Sequence, residues 1–195
     1  MRRSLIRITL IALLIIIAGC SVLRKENKYK SEFDNLTAQR RELRSIIEKN
    51  RVTRLDIAYL TGIFLPLEDN ISISDIPFDL RIHLYPGLAY TAVRRGMMKI
   101  FPDSSFKPDE YVKRYQLAIF FTRYILSADP FFDAAAPDIE LKDVSRGFFA
   151  YKPIVTVVER DLIETDNGNF YPFGYISGSQ AVEYFYRLSR FYSDR

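Results

Sequence analysis

The stretch FKPDEYVKRYQLAIFFTR at 106–123 and the stretch FYPFGYISGSQAVEYFYR at 170–187 lie 64 residues apart, and their likeness decides the fold. Laid over one another without gaps, they match at six of eighteen positions: Phe106 with Phe170, Pro108 with Pro172, Tyr111 with Tyr175, Gln116 with Gln180, Phe121 with Phe185 and Arg123 with Arg187. An offset of 60 carries Val52, Arg54 and Ala58 onto Val112, Arg114 and Ala118. Upstream, Ser74-Asp75-Ile76 parallels Lys142-Asp143-Val144, and residues 92–98 parallel residues 157–163. Self-similarity at a fixed period marks an architecture whose units cannot bury their apolar faces alone and stack on one another. The unit is about 60 residues long, present twice in full and once abridged.

Each unit reads as helix, loop, helix, so the chain is expected to be all-α. A first helix is predicted over roughly 87–95, with Ala89, Ala92 and Val93 on one face and Gly96 placed to end it in a left-handed conformation. The loop that follows is residues 101–108 in one unit and 166–172 in the other, where Asn167-Gly168 is a strong turn signal. A second helix is predicted over about 109–126, with a counterpart over about 177–191. Its apolar positions cover most of the circumference, as in a helix buried among others. Ser177 and Thr53 are the expected N-caps. Ahead of the units, Phe33, Leu36, Leu43, Ile46 and Ile47 form a helix-period stripe ending at Asn50, an amphipathic helix that packs on the following domain or on another chain.

The chain of 195 residues is 48% apolar and 27% charged, which excludes disorder, and its formal charge of +4 invites a nucleic-acid or membrane-surface partner. The N-terminus dissolves most of that charge. Arg2, Arg3 and Arg7 precede an apolar run over 8–17, followed by Ala18-Gly19-Cys20, which is the pattern of a secretory signal and is too short for a transmembrane span. With Ile17-Ala18-Gly19-Cys20 it resembles a bacterial lipoprotein signal, in which the Cys becomes the first mature residue and carries the lipid. Loss of residues 1–19 removes three Arg and no acid, leaving 25 basic against 24 acidic residues, so a nucleic-acid partner is not expected. The excess that remains is local: residues 21–56 hold ten Lys or Arg against six Asp or Glu, beside the lipid site.

The repeats themselves resemble the S-layer homology domain of bacterial envelope proteins. The likeness covers roughly 51–192 and is carried by Ser74-Asp75-Ile76-Pro77, Gly96, Asp103, Phe106, Pro108 and Arg114 in the second unit. Asp143, Gly168, Phe170 and Pro172 carry it in the third, and Val52-Thr53-Arg54-Leu55-Asp56-Ile57-Ala58 in the abridged first. The resemblance implies helix-loop-helix repeats packed as a pseudo-threefold helical bundle, with grooves that bind anionic cell-wall glycans. Chemistry supports an Arg at such a helix start: free backbone N–H groups and a guanidinium together grip a carboxylate. The glycan-binding candidates are therefore Thr53, Arg54, Asp56, Lys113 and Arg114, with structural pairing or helix capping as the other reading of the arginines. The third unit carries Ser177-Gly178-Ser179-Gln180 and no cation, the acid of Asp56 becomes Gln116 and Gln180, and the chain has no Trp, so any sugar platform would come from Tyr or Phe.

Catalysis is not expected. The one His, His83, reads as a loop or packing residue, and one Cys and one His leave no metal site; no cofactor is implied. Asp103, Asp109 and Glu110 have turn and helix-charge roles that need no paired-carboxylate chemistry. Residues 166–169 lack the ligand pattern of a calcium loop and read as a tight turn. The expected organisation is a signal peptide at 1–19, a lipid anchor and tether at 20–32 with lipid on Cys20, an amphipathic helix plus abridged repeat at 33–66, and full repeats at 67–128 and 129–195. The function implied is a non-catalytic envelope lipoprotein of the outer membrane, facing the periplasm, that tethers membrane to wall by binding cell-wall polysaccharide or a peptidoglycan-linked glycan. The alternative is a scaffold of the same fold that has lost glycan binding and holds an envelope protein.

Overall fold

The computed structural model of the chain describes residues 41–65, 72–129 and 139–193. The signal peptide, Cys20, the tether and the first part of the amphipathic helix lie outside the described residues. The chain divides into two units, 1–44 and 45–195, and the architecture below is that of the second. Among the described residues there are six α-helices, one short 3-10 turn at Ile73–Asp75 and only isolated β-bridges, so the fold is all-α. The helices are α1 (Arg41–Ile47), α2 (Arg54–Phe64), α3 (Pro86–Arg94), α4 (Arg114–Ala128), α5 (Tyr151–Glu159) and α6 (Gly178–Ser193). Among these residues no helix is long and apolar enough to cross a membrane.

Three helices start on one local device. Before α2, the Thr53 hydroxyl accepts from the Asp56 amide at 3.3 Å while the Asp56 carboxylate accepts from the Thr53 amide at 2.9 Å. Before α6, Ser177 and Gln180 exchange the same pair of bonds at 3.3 and 3.1 Å. Before α4, Gln116 accepts from the Lys113 amide at 2.8 Å. Such caps satisfy amides that a helix start leaves orphaned, and each is worth about 1 kcal/mol.

Helix α4 starts at Arg114 rather than near 109, because the preceding residues are extended and spend their backbone groups on neighbours. Val112 donates to the Val52 carbonyl at 3.0 Å, and the Glu110 and Pro108 carbonyls accept from Arg54 and Leu55, each at 2.9 Å. Sixty residues on, Arg114 and Tyr115 donate to Gly174 and Pro172 at 2.9 and 3.0 Å. Val52 in turn donates to Ile176 at 3.0 Å, and Gly178 donates to Lys49 at 2.8 Å. Val52, Val112 and Ile176 are all buried at the centre of this network.

The shorter helices end as their sequences dictate. Gly96 after α3 has φ +68°, and Asp161 takes the matching left-handed position after α5 with φ 52°. The alignment of Asp75 with Asp143 needs correction. The Asp143 carboxylate accepts from the amides of Phe170 and Tyr171 at 2.8 and 2.6 Å. The residue that does this 64 positions earlier is Asp79, which accepts from Phe106 and Lys107 at 2.9 and 2.8 Å. Asp75 sits instead in the 3-10 turn.

Helices pack mainly with the neighbour that follows: α2 against α3 and α6, and α4 against α5. Where α2 meets α3 the approach is close enough that a Cβ on Gly62 would lie 2.6 Å from the Leu88 carbonyl oxygen. Where α4 meets α5, the Thr122 hydroxyl donates to the Pro153 carbonyl at 3.4 Å. Phe121 and Phe185 meet edge to face at 5.1 Å in the core, with Phe64 at 6.3 Å from Phe185.

A second close approach explains a missing side chain. Gly178 stands where Arg54 and Arg114 stand in the other stretches, and a Cβ there would fall 1.7 Å from the Ile46 carbonyl oxygen. That oxygen belongs to backbone and cannot swing aside. Gly178→Ala is therefore expected to cost about 1–3 kcal/mol, a fall of about 2–4 °C in Tm per kcal/mol for a chain of this size. Gly87, in the first turn of α3, has open space around its own Cβ direction. Gly87→Ala is expected to hold or raise Tm, and thermal denaturation of the two variants side by side checks the assignment.

Candidate functional site

The two candidate arginines sit at equivalent places, and both face inward. Arg54, 5% exposed, donates from Nε to the Phe106 carbonyl at 2.8 Å and from Nη2 to the Lys99 carbonyl at 3.0 Å. Its guanidinium lies 4.8 Å from the Phe106 ring centroid and 4.9 Å from that of Phe101. Arg114, 7% exposed, donates from Nε to the Phe170 carbonyl at 2.6 Å and from Nη2 to the Glu164 carbonyl at 2.7 Å. Its Nη1 donates to the Tyr184 hydroxyl at 3.1 Å, and the Phe170 ring lies 4.8 Å away. Each arginine thus leaves the first turn of its helix and clamps the loop of the next stretch by two backbone carbonyls and an aromatic face. Burial pulls the Arg54 guanidinium below its ordinary value, while Glu110 and Asp79 act in the opposite direction.

The remaining candidates are divided between frame and surface. Asp56, 2% exposed, spends its carboxylate on the Thr53 cap and on an ion pair with Lys49 at 2.6 Å. Thr53 is occupied by the same cap. Lys113 is half-buried, and its ammonium lies 5.8 Å from the Phe173 ring centroid. The structure therefore brings Thr53 and Asp56 together as a capping box and leaves Lys113 alone of the five beside an exposed surface.

That surface is aromatic. Tyr115, in the first turn of α4, meets Phe148, Phe149 and Phe173 edge to face at 6.1, 5.4 and 5.8 Å. Phe148 and Phe149 lie just before α5, and Phe173 lies in the loop before α6. Phe149 is 71% and Phe173 61% exposed, so the shelf is open on its outer side. Phe148 and Phe173 also line an open hollow of about 370 Å³ with Lys142, Asp143 and Ser145. With 13 Tyr and 15 Phe the chain is rich in aromatic side chains, but composition does not reveal this shelf. The signal available was Phe148-Phe149 placed ahead of a helix, where burial inside the bundle is not required.

Other singled-out residues have local roles. Asp103 accepts from the Ser105 amide at 3.0 Å and hydroxyl at 2.6 Å, and these bonds hold its carboxyl below the usual range. Asp166 and Asn169 exchange backbone bonds at 2.9 Å around Asn167 and Gly168, which have φ 49° and 82°, so this segment is a tight two-residue turn. Among the described residues no group of three His, Cys, Asp or Glu side chains could hold a metal ion. No protein-family model and no curated protein sequence matches the chain.

Arg114→Ala would leave the carbonyls of Phe170 and Glu164 without their donors in a part-buried place. We expect a loss of about 3 kcal/mol in chemical denaturation, with Arg114→Lys recovering only a fraction because an ammonium cannot reproduce the planar fork.

A pH signature accompanies the same cluster. Burial, and the 2.6 Å bond from the Tyr184 hydroxyl to Glu164, push the Tyr184 phenol well above its ordinary value, against the opposing charge of Arg114. A phenol whose folded value is raised stabilises fully below the unfolded value of about 10 and loses that contribution as pH rises beyond it. Tyr184→Phe should therefore flatten the fall of Tm above pH of about 10, measured against wild type.

Proposed function

We propose that the chain is a non-catalytic envelope lipoprotein, held to a membrane by lipid on Cys20, whose helical domain is a protein-interaction scaffold. The domain in this reading is three S-layer-homology-like repeats in a pseudo-threefold ring, the first abridged and completed by α1. The repeated bonds support the ring: Arg54 to Phe106 and Arg114 to Phe170, Asp79 to Phe106 and Asp143 to Phe170, and Val52 to both Ile176 and Val112. The observation that carries the scaffold reading is the fate of the two arginines. The Nε and Nη2 donors of both are spent on carbonyls inside the domain and both side chains are buried, which works against the bidentate grip on a sugar carboxylate that glycan binding through Arg54 and Arg114 requires. What the domain presents instead is the shelf of Tyr115, Phe148, Phe149 and Phe173, a large apolar surface of the kind that proteins use for one another.

A second reading keeps glycan as the ligand and moves it to the shelf. Lys142 and Ser145 beside Phe148 and Phe173 favour it, since stacking rings with a cation and a hydroxyl suit an acidic sugar. The two readings separate in one paired experiment on detergent-solubilised full-length protein. Affinity purification should retain a stoichiometric envelope protein that Phe149→Asp with Phe173→Asp releases, while sedimentation with purified sacculi should be at background. Sacculus binding that the same double variant abolishes would sink the scaffold reading and establish the glycan one.

A further inference from the structure

We propose that the loop over 76–85 is a second membrane contact, which inserts Ile82 and Leu84 into the interfacial region of an anionic bilayer. Four large apolar side chains stand outward within eight residues: Phe78 is 64%, Ile82 84%, Leu84 76% and Tyr85 56% exposed. They are held there rather than left loose. Ile76 and Leu80 are buried anchors at the base of the loop. The Arg81 guanidinium donates to the carbonyls of Ile76 and Ser74 at 2.7 and 3.1 Å, and the Tyr59 hydroxyl on α2 donates to the Leu84 carbonyl. A loop pinned at its base and apolar at its tip has no ordering cost left to meet when it enters an apolar medium.

The charge around the loop selects lipid as the occupant. Asp79 spends both carboxylate oxygens on the amides of Phe106 and Lys107, and residues 72–102 carry Arg81, Arg94, Arg95 and Lys99 against Asp75 and Asp79, a local excess of positive charge. Exposed aliphatic side chains and a Tyr among basic residues are the composition of segments that lie in the headgroup boundary. Sixty-four residues later, Phe78 and Ile82 are replaced by Lys142 and Arg146, while Leu84 and Tyr85 match Phe148 and Phe149 of the aromatic shelf, so the Phe78 and Ile82 part of the apolar tip is peculiar to this loop. Reach is sufficient. Cys20 lies 21 residues before Arg41, a span of at most about 70 Å, so a lipid on Cys20 would keep the loop near the bilayer and turn weak insertion into an effectively intramolecular contact.

The proposal goes beyond the scaffold reading and does not need lipid on Cys20, which the test exploits. Mature protein carrying Cys20→Ser is mixed with vesicles of phosphatidylethanolamine and phosphatidylglycerol and sedimented, alone and with Ile82→Ser plus Leu84→Ser. The expected result is binding by the first that falls at least tenfold in the second and weakens on neutral phosphatidylcholine vesicles. Because the chain has no Trp, Leu84→Trp gives a single emitter whose fluorescence should shift to the blue on anionic vesicles and be quenched by brominated lipid. Equal sedimentation of the two proteins, or an emission that stays at its solvent wavelength in excess lipid, overturns the proposal. So does a shift that appears only with added envelope proteins, which would assign the loop to a protein partner. Mass spectrometry of the native chain reads lipid on Cys20 separately, so the anchor and the loop can fail independently.

Discussion

A guanidinium that leaves its own helix and closes on the carbonyls of the next loop is the constraint on which the domain depends. Arg54 does this to Lys99 and Phe106, and Arg114 does it to Glu164 and Phe170. The loops concerned are the irregular parts of the chain, where backbone carbonyls find no partner in a regular helix. A long cation with several donors in a plane satisfies two of them at once and covers an aromatic ring with its face. The Asp79 and Asp143 carboxylates complete the arrangement from the other side by taking the amides of the same loops. Each loop is thus fixed by a cation on its carbonyls and an anion on its amides, with Phe106 or Phe170 buried between them.

This arrangement explains why the third stretch departs from the pattern. Position 178 aligns with Arg54 and Arg114 in the sequence, but an arginine has no room there. The backbone at the end of α1 comes directly against the start of α6, with the Gly178 amide on the Lys49 carbonyl and no room for a Cβ beside Ile46. Loss of the arginine at this place is therefore a consequence of how the first segment meets the last. The same reasoning covers Asp56, Gln116 and Gln180: a capping box accepts either a carboxylate or an amide oxygen, so the exchange of acid for amide leaves the helix start intact.

The helical class, the caps at Thr53 and Ser177, the left-handed turn at Gly96 and the tight turn at Asn167-Gly168 were legible because each depends on neighbours within a few residues. The start of α4 was not, since the extended conformation before Arg114 is imposed by bonds to Val52 and Arg54 far away in the chain. Asp79 was obscured because Asp75-Ile76, a few residues earlier, resembles Asp143-Val144 more closely than Asp79-Leu80 does. The fate of the arginines was out of reach for a physical reason. Backbone carbonyls carry no residue signature, so a sequence can show a cation at a helix start without showing which acceptors it meets. Exposed aromatics were hidden for a related one: Phe121 in the core and Phe149 on the surface are the same residue type, and only the packing around them separates their roles.

With Arg54 and Arg114 turned inward, the exposed apolar side chains discussed above fall in two patches with different polar settings. The shelf of Tyr115, Phe148, Phe149 and Phe173 has Lys142 and Ser145 along its hollow, a cation and a hydroxyl that can make directional bonds, while Asp143 there is spent on the amides of Phe170 and Tyr171. The loop around Ile82 and Leu84 has Asp79 bonded in the same way, Asp75 just ahead of it, and Arg81, Arg94, Arg95 and Lys99 within or after it in the sequence, a net positive setting that discriminates little beyond the sign of charge. A protein or a glycan is recognised by directional groups, whereas a bilayer is recognised by apolar area and charge alone. The contrast in what surrounds the two patches is thus the reason to assign them to different kinds of partner, even though their exposed side chains are equally apolar.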